Sequence, residues 1–107
     1  MIYASEIVTK ELMDKYIARC LRYGERATLK GFCSWCGFAR TQVGKYFTAS
    51  AGVAPGAYIS KFRGDFIRQN SHLSAIDLSV ELGISTTQVW ARAKGMGITL
   101  GIRNARN

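Results

Sequence analysis

Two short runs hold the side chains best suited to chemistry in this chain. In RTQVGKYFT, residues 40–48, the donors Arg40, Thr41, Gln42, Lys45 and Thr48 alternate with apolar Val43, Tyr46 and Phe47 at i, i+3 and i+4. That spacing makes one buried stripe on a helix and leaves the donors on the other face. In TTQVWARAK, residues 86–94, Val89, Trp90 and Ala93 form the inward stripe, and Thr86, Thr87, Gln88, Ala91, Arg92 and Lys94 the outward face. Helix faces of this kind reach phosphates and base edges. Glutamine pairs bidentately with adenine and arginine or lysine with guanine, each pairing giving about 1–3 kcal/mol of discrimination.

Other chemistries find little to work with. There is no Ser/His/Asp set, no P-loop and no pair of carboxylates on one face, so catalysis is not expected. Cys33-Ser-Trp-Cys36 is a CxxC, yet a structural zinc needs four ligands and only Cys20 and the sole histidine, His72, remain. A thioredoxin-like site needs a βαβ pattern that the surrounding sequence lacks. Three cysteines without an export signal argue against a disulfide framework. Cys33 is expected to fill a small buried position, His72 to lie at the surface, and no metal or cofactor to be used.

The elements that must position the two runs follow from caps and stops. Ser5 is the expected N-cap of a first helix reaching Tyr23, with Gly24 as its stop and Ile7, Val8, Leu12, Tyr16, Ile17 and Cys20 as its apolar face. Thr28 caps a short helix to Trp35, and Gly37 supplies the turn into the helix from Arg40 to about Ser50. Gly52 stops that helix, and Pro55 opens a connecting helix to about Gln69, in which Tyr58, Phe62 and Phe66 recur at i, i+4 and i+8. Gly64 inside it costs about 1 kcal/mol relative to alanine and marks a candidate bend. Ser74 caps the next helix, where Ile76, Leu78, Val80 and Leu82 are apolar. Leu-Gly-Ile-Ser, 82–85, then supplies a turn and a new cap. Ile98, Leu100 and Ile102 alternate, as in a short strand or packed tail, and the end with Arg106 is expected to fray.

The spacing Gly37, Phe47, Gly52, Pro55, Tyr58, Arg63 resembles the DNA-binding domain of AraC/XylS-type transcription regulators, over about residues 28–95. The resemblance implies an all-α fold of two helix-turn-helix subdomains joined by a connecting helix. Here that gives an N-terminal helix plus first unit over 5–53, a connecting helix over 55–69, a second unit over 74–98 and a tail over 99–107. It also implies that Thr41, Gly44 and Lys45 in the first unit, and Thr87, Gln88, Ala91 and Arg92 in the second, occupy base-reading places. The base-reading candidates are therefore Thr41, Gln42, Lys45, Thr87, Gln88 and Arg92. Arg40, Thr48, Lys61, Arg63, Thr86 and Lys94 are the phosphate candidates.

Charge agrees with a polyanionic partner. Fifteen Lys and Arg against seven Asp and Glu give a formal net charge of +8. Of this excess, +5 falls in residues 28–70, the segment that holds the first unit and the connecting helix. No apolar run approaches the roughly 18 residues of a membrane span, and the start does not read as a secretory signal. A cytoplasmic, nucleoid-associated protein is the expectation, with double-stranded DNA as partner, as monomer or homodimer. The function expected is sequence-specific transcription regulation through two successive major grooves. Abundance or a protein partner, rather than a metabolite, is expected to set its activity. The alternatives are a small basic adaptor on RNA polymerase or another regulator, with Trp35 and Trp90 as anchors unless they are core, and a DNA-binding replication, partition or packaging factor.

Overall fold

A computed structural model of the chain describes residues 3–101. Every regular element among them is helical: α1 (Ala4–Ile7), α2 (Lys10–Tyr23), α3 (Leu29–Cys36), α4 (Arg40–Ala51), α5 (Pro55–Gln69), α6 (Ala75–Leu82) and α7 (Thr86–Gly95). The protein is all-α, as expected. Polar caps start four of these helices. The side chains of Thr9, Thr28, Ser74 and Ser85 accept from the backbone N–H groups of Leu12, Gly31, Asp77 and Gln88. Gly24, Gly37, Gly52 and Gly83 close α2, α3, α4 and α6.

The first helix departs from expectation. It is broken between Ile7 and Lys10, because the Thr9 hydroxyl accepts from the Leu12 N–H and starts α2 afresh. Ser5 lies inside α1, whose cap position is Tyr3. Val8, at the break, is fully buried. The buried side of α2 is Met13, Tyr16, Ile17 and Cys20, so Met13 joins the stripe while Leu12 packs at its margin.

Two apolar clusters fill the molecule. The first gathers Val8, Met13, Tyr16, Ile17, Cys20, Phe32, Val43, Phe47 and Ile59, with Phe32 and Phe47 edge-to-face at 6.4 Å. The second gathers Ile67, Leu78, Leu82, Val89, Ala93 and Leu100. Leu21 of α2 and Phe62 of α5 touch both, so these helices tie the two ends of a body measuring 56 × 25 × 18 Å. Helix α5 runs without interruption through Gly64. Its buried side chains are Pro55, Ile59 and Ile67, while the aromatic row Tyr58, Phe62, Phe66 is only half-buried.

Outward-facing apolar residues mark a second correction. Trp90 is 54% exposed, because Val89 and Ala93 already satisfy the inward period of α7 and the next position turns about 100° away. On α6, Leu78 and Leu82 face inward, whereas Ile76 (47%) and Val80 (66%) face out. Trp35 is 40% exposed but stacks at 5.6 Å on Tyr16 and 6.3 Å from Phe32. After α7 the chain packs as a tail rather than a strand. Leu100 is buried, and the Gly101 N–H donates to the carbonyls of Ser71 (2.8 Å) and Leu73 (3.0 Å). Ile102 and Arg106 lie outside the described residues.

Candidate nucleic-acid interface

Helix α4 is fixed from behind. Val43 and Phe47 are fully buried, and the Ser50 hydroxyl accepts from the Lys10 N–H at 3.2 Å. The α3–α4 turn depends on Gly37, whose φ of 81° is a conformation L side chains rarely adopt. With that face anchored, Arg40, Thr41, Gln42, Lys45 and Thr48 are all exposed. Arg40 and Lys45 form no ion pair among the described residues, and Lys45 lies 5.4 Å from the Tyr46 ring centroid. The Thr48 hydroxyl donates to the Gly44 carbonyl at 2.6 Å, so only its lone pairs remain for an outside donor. Gly44 leaves open space beside these side chains.

On α7, Thr87, Gln88 and Lys94 are exposed, and Thr86 and Arg92 are half-exposed. Gln88 already has a partner. Its Oε1 accepts from the Ser85 N–H at 3.3 Å in a reciprocal capping box, leaving its amide NH₂ as the free donor. Arg92 reaches back to α5, where its Nη1 donates to the carbonyl and hydroxyl of Ser60, both at 3.3 Å. Lys61 on α5 is exposed but paired with Asp65 at 2.8 Å, and Arg68 shares the same carboxylate at 3.2 Å.

Arg63 does not extend into solvent as a phosphate contact would. Its Nη2 donates to the Ala27 carbonyl, and its Nε is buried with no hydrogen-bond partner. Burial first, then the nearby charges of Arg26 and Arg92, pull its guanidinium below the ordinary arginine value. Arg63 lies in the wall of a cleft of about 320 Å³ whose other lining residues are Arg26, Ile84, Gln88, Ala91 and Arg92. The structure thus brings three of the sequence candidates, Arg63, Gln88 and Arg92, to one place and adds Arg26, which sequence reasoning missed. Its signal was faint: one arginine in a five-residue link between helices, with no periodicity to follow.

No protein-family model, curated protein or solved structure matches this chain.

The cysteines are free thiols. Cys20 is buried, and Cys33 and Cys36 are half-buried against the first cluster. Burial, and then the neighbouring Cys36, pushes the Cys33 thiol up, so it stays protonated and a poor nucleophile at neutral pH. No group of three or more His, Cys, Asp and Glu among the described residues is placed to hold a metal ion. No helix among them is long and apolar enough to cross a membrane.

Proposed function

We propose that this protein is a sequence-specific double-stranded DNA-binding transcription regulator in which α3–α4 and α6–α7 act as two helix-turn-helix units. The observation that carries the reading is the outer face of α4. Arg40, Thr41, Gln42 and Lys45 stand exposed on a helix that contains no Asp or Glu and is pinned by a buried stripe behind. Hydrogen-bond donors without competing carboxylates favour phosphate oxygens and base acceptors. Helix α7 repeats the composition, with Thr87, Gln88, Arg92 and Lys94 and no acidic residue. Recognition helices in successive major grooves stand about 34 Å apart, a separation that a 56 Å body can hold. The basic excess over residues 28–70 supports the same partner.

Binding competition tests it. Gln42→Ala and Lys45→Ala are expected to narrow the gap between preferred and bulk duplex by about tenfold each. The control Lys15→Ala, on the exposed side of α2, is expected to leave it unchanged. A preference untouched by both α4 substitutions would remove that helix from the reading.

One observation favours a second reading, a basic adaptor that docks on RNA polymerase or another regulator. Trp90, Ile76 and Val80 are exposed on α7 and α6, and large apolar side chains in the open are anchors for protein partners. An adaptor would ignore Gln42→Ala and Lys45→Ala but lose its partner with Trp90→Ala.

A further inference from the structure

The cleft between the residue 25–27 link, α5 and α7 has a chemistry of its own. Its polar lining is Arg26, Arg63, Arg92 and Gln88, and no carboxylate lines it. The carboxylate nearest in sequence, Glu25, is engaged by Arg19 at 2.9 Å. Three like charges brought together repel one another, and folding the chain this way costs free energy that a bound anion would recover. Three of these four groups are also held in place. Arg63 is fixed by the Ala27 carbonyl, Arg92 by Ser60, and Gln88 by the Ser85 N–H, an arrangement that engages the Gln88 Oε1 and leaves its NH₂ as a donor. Donors gathered round one space, with no carboxylate among them, are what a tetrahedral oxyanion needs.

We propose that this cleft binds a phosphate group, with Arg26 and Arg92 as its direct hydrogen-bonding partners, the Gln88 amide as a third donor and Arg63 as a fixed charge in the wall. Guanidinium forks match phosphate oxygens bidentately, and a cleft of about 320 Å³ accommodates a phosphoryl group with a sugar-sized remainder. The phosphate can come from the DNA backbone or from a free phosphate ester, and only the first source rests on the DNA-binding reading. Arg26 sits here because the residue 24–26 link lies against Gly83, at the α6–α7 turn. The pocket is therefore a product of tertiary packing rather than of either helix alone.

The test is a titration of the whole protein with inorganic phosphate, against chloride at matched ionic strength. It is followed through the NMR resonances of the Arg63 Nε–H and the Gln88 side-chain amide. Saturable shifts with phosphate and not with chloride are expected. Arg26→Ala, an exposed link residue whose loss should spare the fold, is expected to weaken the phosphate affinity at least about tenfold. Lys15→Ala should leave it unchanged. Shifts that never saturate, that chloride reproduces, or that survive Arg26→Ala would overturn the site. A second titration separates the sources. If duplex DNA displaces phosphate, and Arg26→Ala lowers the slope of log affinity against log salt by about one, the phosphate is a backbone one. If phosphate stays bound in saturating duplex, the ligand is a free phosphate ester. Failure to select any DNA motif would defeat the DNA-binding reading while leaving the phosphate titration intact, so the two fail separately.

Discussion

Gln88 has two tasks within reach, and they can be pulled apart. It closes the capping box of α7 through its Oε1 and offers its NH₂ to the outside. Ser85→Ala removes the side-chain acceptor for the Gln88 N–H and is expected to cost about 0.5–2 kcal/mol of stability, measured by denaturant unfolding, without changing base preference. Gln88→Ala is expected to cost less stability, yet to weaken phosphate binding in the cleft, read by the same phosphate titration. Arg63 poses the opposite case. Because its Nε is buried and unpartnered, Arg63→Met is expected to change stability by less than about 1 kcal/mol, despite the loss of a hydrogen bond to Ala27. A large loss on unfolding would mean that the guanidinium is a structural strut rather than a held charge. From sequence, Arg63 read as a surface contact. Its burial was not legible, because it depends on where the link around Ala27 lies relative to α5.

At the scale of elements, local rules carried far. The caps Thr28, Ser74 and Ser85 and the stops Gly24, Gly37, Gly52 and Gly83 could be placed from residue type, since each acts within one turn of chain. The break at Thr9 was hidden because the apolar positions on either side keep a near-continuous helical period. Trp90 misled for a related reason: hydrophobicity suggested burial, but its register on α7 points outward. Glycine positions now make sharp predictions. Gly83 has φ +65°, and a Cβ there would meet the Arg26 N at 2.5 Å and the Glu25 carbonyl carbon at 2.6 Å. Gly83→Ala is therefore expected to cost about 3 kcal/mol or more, and to disturb the phosphate cleft by displacing Arg26. Gly64 differs, because a Cβ there makes an ordinary 3.4 Å contact with the flexible Met96 Sδ inside an unbroken helix. Gly64→Ala is expected to stabilise the protein by about 0.5–1 kcal/mol, read from the unfolding midpoint. A loss of stability would show that α5 needs glycine for close packing against the end of α7.

The whole molecule is a chain of two apolar clusters joined through α2 and α5, with three of its seven acidic groups engaged in local ion pairs. Asp14 pairs with Lys10, Glu25 with Arg19, and Asp65 with Lys61 and Arg68. The cations left unpaired on α4 and α7 therefore set the field an approaching polyanion meets, and affinity is expected to fall steeply with salt. All-α architecture and the exposed α4 face were readable from the sequence. The cleft shared by the 25–27 link, α5 and α7 was not, because it joins residues more than half the chain apart. Selection from a random duplex pool at about 50 and 200 mM salt tests most directly whether this body reads DNA sequence. A recovered motif spanning two successive major grooves, preferred over bulk DNA by roughly 10³ at the higher salt, is the expected result. Binding that yields no motif and disappears as salt rises would contradict it.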